Sequence, residues 1–420
     1  MDYPRLVRIR QHFERPLITD IEKAVGATLD QLNLSRSIRP GHTVALTAGS
    51  RGIANIARIL KSVADYLKRL GAQPFLVPTM GSHGGGSADG QRTIIESYGI
   101  TEQFVGVPIR ASMDVATIGH TDAGFPVYLD AHARGADHIA VIGRIKPHTG
   151  FHGAIESGLL KMMMIGLGKH EGALAYHRIL LEHPYEAVVR SVSRVMLKQA
   201  PIRFGLAIVE NAYDETALLE AVLPERFAER EEELLKLARK HLAKLPLRTA
   251  DFLIVDEIGK DISGSGMDTN VVGRKRAYRN DPATIATQPQ MRLIFVRGLS
   301  AKTHGNATGI GLADFTTRRL VDAMNYHATV INCLTAGYPE GANIPVYFDS
   351  DREVVDAGLK IIGTREPHEA RILHIRNTLA VSDMVVSEPA LADINGHVKY
   401  DVLGAAQPVR FDELANLPSV

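Results

Sequence analysis

Residues 43–87 read TVALTAGSRGIANIARILKSVADYLKRLGAQPFLVPTMGSHGGGS. The stretch opens on a β-rich run, TVALTA (43–48), and reaches a second one in PFLVPT (74–79). Between them, NIARILKSVADYLKRLG (55–71) carries apolar residues at helical spacing and ends at Gly71. Strand, helix and strand in this order build a parallel sheet, since parallel neighbours need a crossover connection. Further on, SADGQRTIIESYG (87–99) predicts a helix with Ser87 at its N-cap. DVATIG and FPVYLD predict a hairpin around HTDAG, and HIAVIGRIK (138–146) predicts another buried strand. The expected fold class is α/β, with mainly parallel sheets and flanking helices.

At 420 residues the chain is longer than one core usually supports, so two domains are expected. PERFAEREEELLKLARKHLAKLP (224–246) reads as a long charged helix bounded by prolines, a solvated connector, and ADFLIVDEIG (250–259) starts a fresh strand. This predicts an amino-terminal α/β domain over 1–247, to which the resemblance described below assigns catalysis and cofactor binding. A carboxy-terminal α/β domain over 248–420 would close the substrate site, which is expected in the cleft between them. A formal net charge of +1, with no basic block, gives no electrostatic case for nucleic acid as a partner. Cys333 is the only cysteine, which leaves out a disulfide framework or a thiolate metal cluster. The start, MDYPRLVRIRQHFERPL, has no apolar core of a signal peptide, and no run of 18 apolar residues occurs. A cytoplasmic protein with no membrane partner is expected, and a homo-oligomer is compatible with this composition.

Ligands of open α/β sheets sit at the carboxyl ends of the strands. Three such loops stand out. TVALTA runs into Gly49-Ser50-Arg51-Gly52, PFLVPT into Gly81-Ser82-His83-Gly84-Gly85-Gly86-Ser87, and HIAVIGRIK into Pro147-His148-Thr149-Gly150. Glycine lets backbone approach a ligand closely, so Gly81, Ser82 and Gly84 are candidate cofactor contacts. Each loop also presents one large polar side chain: Arg51, suited to grip a carboxylate, then His83 and His148.

Past the third loop, residues 142–177 hold His148, His152, His170 and His177 around Lys161, beside a Met162-Met163-Met164-Ile165 run. The methionines read as core filling. Lys161 in such a run must snorkel, pair with an acid such as Glu156, or have lost its charge to a covalent bond. His170 and His177, seven apart, would share a helix face. His148 and His152 have metal-ligand spacing only on a helix, which Gly150 and Gly153 oppose.

In order and spacing, these residues resemble the nickel-pincer-nucleotide-dependent racemases and epimerases, the lactate racemase family. The match comprises Arg51 in AGSRG, Gly81-Ser82-His83, Lys146-Pro147-His148, Ser157-Gly158-Leu159-Leu160-Lys161, and His177 sixteen residues past that lysine. The resemblance implies an isomerase that inverts a 2-hydroxy acid by transient hydride transfer to a nickel pincer nucleotide. In that reading Lys161 is covalently joined to the cofactor and His177 ligates nickel. His83 and His148 are the acid–base pair, and Arg51 holds the substrate carboxylate. Cofactor-biosynthesis enzymes become expected partners.

Departures from the family pattern fall mostly where substrate is recognised. An acidic residue three before the arginine is replaced by Ala48, and the stretch from His148 to Lys161 is three residues longer. The family's Gln-x-x-Lys element has no clear match, only GSGMDTNVVGRKR (264–276) with Asp268, Asn270 and Arg274 as substrate-binding candidates. Polar loops at 263–274 and 303–308 suggest a substrate larger and more polar than lactate. Two other readings stand beside this one. One is a zinc-dependent lyase or hydrolase using His148, His152 and His170 or His177; the other is a non-catalytic binder of an anionic metabolite.

Overall fold

Strand β1 (Leu6–His12) is followed by β2 (Thr43–Ala48), β3 (Gln73–Pro78), a hairpin of β4 (Val115–His120) and β5 (Pro126–Asp130), β6 (His138–Arg144), β7 (Ile202–Glu210) and β8 (Thr216–Val222). These come from a computed structural model that describes every residue except Arg51, Phe151, residues 276–287, Asn395 and His397. β2, β3 and β6–β8 form a five-stranded sheet in the order β3-β2-β6-β7-β8. It is parallel except for the β7–β8 edge. The expected helix 55–71 is found as Ile56–Arg69, and it buries Ile59, Leu60, Val63 and Leu67. Ser87 caps the next helix, Ala88–Ser97, by accepting from the Gly90 N–H.

The helix expected within 224–246 forms, but it is not a solvated connector. Phe227–His241 is a helix that buries Phe227, Glu231, Leu234, Leu235 and Ala238. Its apolar side chains join a core with Leu159, Met163, Met164 and Tyr176. The dense charge of this segment hid a regular apolar stripe.

The second sheet takes β9 (Thr249–Val255), β10 (Gln290–Val296), β11 (Phe315–Thr317), β12 (Val346–Phe348), β13 (Ile372–Ile375), β14 (Asp383–Ser387) and β15 (Lys399–Val402). Its order is β12-β11-β10-β9-β13-β14-β1-β15. The strands from β12 to β13 run parallel, and the remaining pairs are antiparallel. β1 thus lies between β14 and β15, with Val7 and Ile9 turned into the core. The chain accordingly divides into Glu14–Leu242 and a unit of Met1–Phe13 with Ala243–Val420. A single division near residue 247 does not describe this arrangement, because the period-two pattern of LVRIRQH carries no sign of a partner some 380 residues away.

Deleting residues 1–13 should therefore loosen the unit that is distant in sequence. Hydrogen exchange is expected to lose protection at β14 and β15 while β2, β3 and β6 keep theirs. Equal loosening of β2 would show that β1 supports the other sheet.

Candidate active site

β3, β2 and β6 are adjacent and parallel, so the loops leaving their carboxyl ends share one edge of the sheet. Ser50 lies on the middle loop, and His83 and His148 on the loops to either side. Arg51 lies outside the described residues, but its neighbours are held firmly. The Tyr98 hydroxyl donates to Ser50 O at 3.0 Å. The Ala54 N–H donates to the Glu210 carboxylate at 2.6 Å, and Arg144 bonds the same carboxylate. His83 Nδ1 shares a 2.5 Å hydrogen bond with Ser50 Oγ, which links the first loop to the second.

The glycines of the His83 loop have local causes. Gly84, Gly85 and Gly86 have φ of +67°, +67° and +62°, a left-handed run that side chains disfavour. At Gly84 a β-carbon would also lie 2.4 Å from the Gly90 carbonyl carbon, and at Gly81 one would meet Ala173 at 2.7 Å. Ser82 O accepts the Gly86 N–H at 3.2 Å, closing the turn. His170 packs over Gly86 from the helix Lys169–Ile179.

The third loop is closed at its base by a paired bridge between Lys146 and Ser157. Its interior is organised by Glu156, whose side chain is fully buried. That carboxylate accepts the His148 N–H at 2.5 Å, the Gly153 N–H at 3.2 Å and an Arg239 N–H at 2.6 Å. His152 Nδ1 lies 3.1 Å from it. The His148 ring stacks on Tyr185, with the planes inclined by 17°. Glu156 thus serves the His148 loop, and Lys161 Nζ donates a hydrogen bond to Ser157 Oγ at 3.3 Å.

Lys161 ends a short α-turn, Leu159–Lys161, that continues as a π-helix over Met162–Leu167. π-helical turns are rare and gather at functional sites. Burial, and secondarily the Lys161 ammonium, hold the His177 imidazole below its usual range, so it is neutral at pH 7. The turn is anchored from beneath by Glu231, which reaches from the Phe227–His241 helix and accepts the Leu160 N–H at 3.0 Å. Gly158 has to be glycine here, because a β-carbon would lie 2.3 Å from the Glu231 carboxyl carbon.

Other expectations meet a different structure. Asp268 is the N-cap of Thr269–Val272, accepting from the Asn270 N–H and from the Asn270 side chain, both at 2.8 Å. Arg274 bonds the carbonyls of Leu312, Met291 and Arg292 and the carboxylate of Asp314, which makes it a structural tie. The polar loops expected to favour a polar substrate largely bond themselves. Ser263 pairs with Ser265, Thr303 bonds Asn306 O, and Thr308 bonds Asn306 Oδ1. Among the described residues no three His, Cys, Asp or Glu side chains converge as a zinc site would require. Among them, too, no helix is long and apolar enough to cross a membrane.

Ser50, Gln91, Lys169, Tyr185 and Glu231 were not singled out in the sequence, and Glu156 was expected only as a partner of Lys161. Of these, Glu231 was the least visible, placed in the run EREEELLK among charged neighbours that look solvated.

With this geometry in view, comparison with known proteins gives a class. Residues 11–188 match the family model described as "Lactate racemase N-terminal domain". Over that region, somewhat less than half of the chain, the sequence is similar to the lactate racemase family. The structure also resembles that of the lactate racemase apoprotein from Thermoanaerobacterium thermosaccharolyticum. The TM-score is 0.52 at 13% sequence identity, covering 90% of this chain and 99% of that one. At that identity the likeness establishes the fold. No curated protein matches the sequence.

Burial raises the Glu231 carboxyl from 4.5 to about 7. The folded state therefore holds this proton more tightly than the unfolded chain does. Its contribution is present below about pH 4.5 and is lost as pH rises towards 7, a swing on the order of 3 kcal/mol. Glu231→Gln keeps an acceptor for the Leu160 N–H but removes the charge. Its stability relative to wild type should improve by about 1–3 kcal/mol between pH 5 and pH 8 in denaturant unfolding. A pH-independent difference would mean that Glu231 does not titrate in this window.

Proposed function

We propose that the chain is an isomerase, a racemase or epimerase of a 2-hydroxy acid that works with a nickel pincer nucleotide. The observation that carries the reading is the shared sheet edge: three adjacent parallel strands send the loops that carry Ser50, His83 and His148 to the same side. The Lys161 turn follows directly from the base of the His148 loop.

The residues fit such a cofactor. His177 is half-buried and neutral, the form in which imidazole binds a metal, and nitrogen with sulfur donors suits Ni(II). Lys161 lies close enough for its charge to act on that ring. In this reading Lys161 is the covalent anchor, His177 the metal ligand, and Gly81, Ser82 and Gly84 the backbone that the nucleotide approaches. When bound, the cofactor supplies a reversible acceptor for the hydride on the carbinol carbon.

The remaining chemistry belongs to side chains. Arg51 grips the substrate carboxylate with two parallel hydrogen bonds and fixes the carbinol carbon. One of His83 and His148 takes the hydroxyl proton as general base, and the other serves the opposite configuration. Ser50 orients the His83 ring through their hydrogen bond, and the Tyr185 ring does the same for His148 by stacking. The identity of the 2-hydroxy acid is left to a panel assay, since the polar loops at 263–274 and 303–308 bond among themselves.

Protein produced together with the cofactor-building enzymes should gain mass on the peptide containing Lys161 and carry nickel at about one equivalent. An unmodified Lys161 in a preparation where a co-produced lactate racemase is loaded would end the proposal. In loaded protein, His83→Ala and His148→Ala should each lower turnover by about 10²-fold or more, read by chiral chromatography of 2-hydroxy acids. Arg51→Lys should mainly raise KM, since a lysine cannot make the bidentate grip.

A further inference from the structure

We infer that Lys169 is a positioning residue that fixes the His83 loop from the joint between the Lys161 turn and the His177 helix. The inference rests on the assignment of His83, Lys161 and His177 made above, although the arrangement itself can be tested without it.

Lys169 begins the helix Lys169–Ile179, directly after the π-helical stretch and Gly168. Its side chain is fully buried, and its φ is +55°. A left-handed lysine persists only where its surroundings over-determine it, and such outliers gather at functional sites. The surroundings here are specific. Lys169 Nζ donates to Pro78 O and to Gln91 Oε1, both at 2.7 Å. Gln91, itself fully buried, donates from Nε2 to Met80 O at 3.1 Å and to Gly81 O at 2.9 Å. Asp130, at the end of β5, places its carboxylate 3.7 Å from Nζ.

Three carbonyls in the four residues from Pro78 to Gly81 are thus held by two buried side chains, just before Ser82 and His83. The loop has few means of its own to hold still, because Gly81, Gly84, Gly85 and Gly86 offer no side chains to pack. One ammonium therefore ties the base of the His83 loop to the backbone joint that sets the direction of the His177 helix relative to the Lys161 turn. Burial lowers the Lys169 ammonium and raises the Asp130 carboxyl, as expected for a pair that holds its charge only through these contacts.

The test uses the full-length apoprotein. Lys169→Met alone would strand the Asp130 charge, so it is combined with Asp130→Asn, which keeps an acceptor for the Ala133 N–H that Asp130 caps. Gln91→Leu is the second variant and leaves the Lys169–Asp130 pair in place. Both should speed amide exchange over residues 79–87 by about tenfold or more while β2 and β6 stay protected. Both should also shift the ring signal of His83, assigned through His83→Gln, and leave those of His120 and His132 in place. Global destabilisation would not move a native-state signal in this selective way. Unchanged exchange over 79–87 in both variants would overturn the inference, and so would acceleration spread evenly over β2 and β6. If instead the loop loosens as expected but His83→Ala retains full turnover in loaded protein, the brace stands and the catalytic assignment of His83 falls.

Discussion

The loops at the carboxyl edge of the amino-terminal sheet are rich in glycine, and glycine-rich backbone cannot hold itself by packing. Buried polar groups must find partners, and here that requirement does the holding. Gln91 and Lys169 take the carbonyls of Pro78, Met80 and Gly81. Glu156 takes the N–H groups of His148 and Gly153, Glu210 that of Ala54, and Glu231 that of Leu160. Each partner lies on a regular element or is itself buried, so the rigidity of the sheet and its helices reaches the loops through single hydrogen bonds. This lets backbone stay close and bare on the ligand side while remaining fixed from behind.

The same economy explains the segment from Lys146 to His177. The Lys146–Ser157 bridge closes a loop that carries His148, and the chain then turns at once into the helix with Lys161. A regular α-helix from Leu159 onward would hold one direction to its end. The π-helical stretch and the left-handed Lys169 redirect it, so that His177 starts from a new axis. Neither feature follows from local propensity, since Met and Leu favour ordinary helix and lysine disfavours positive φ. Tertiary contacts decide both.

That contrast shows how much of the molecule can be read in the sequence. β2, the helix after it, β3, the Ser87 cap and the hairpin follow from periodicity and turn chemistry, because each depends on residues near in sequence. The loop positions of His83 and His148 follow too, since a parallel sheet sends its loops to one edge. What sequence hid is what depends on distant partners: β1 crossing into the second sheet, Glu231 buried within a charged run, and Gln91 and Lys169 passing for surface residues. A polar side chain buried through one or two hydrogen bonds looks identical in sequence to one in water.

The two polar loops of the second unit show a different pattern. Their Ser, Thr, Asn and Asp residues invite a ligand, yet most of their bonds span only two or three residues, as Asp268 to Asn270 and Thr303 to Asn306 do. Bonds of that range shape a turn and use up the groups that form them. The glycines there serve the same end: a β-carbon on Gly266 would lie 2.1 Å from Thr308 O, and one on Gly309 would lie 1.8 Å from Ser265 O, so the two loops interlock through bare backbone. The amino-terminal loops behave differently. Ser50 and His83 are 33 residues apart, and Lys169 and Pro78 are 91 apart. A hydrogen bond that joins separate loops fixes one loop against another, which a bond within one turn cannot do. The range of its hydrogen bonds, more than the number of its polar residues, distinguishes a loop fixed against its neighbours from one arranged to turn the chain.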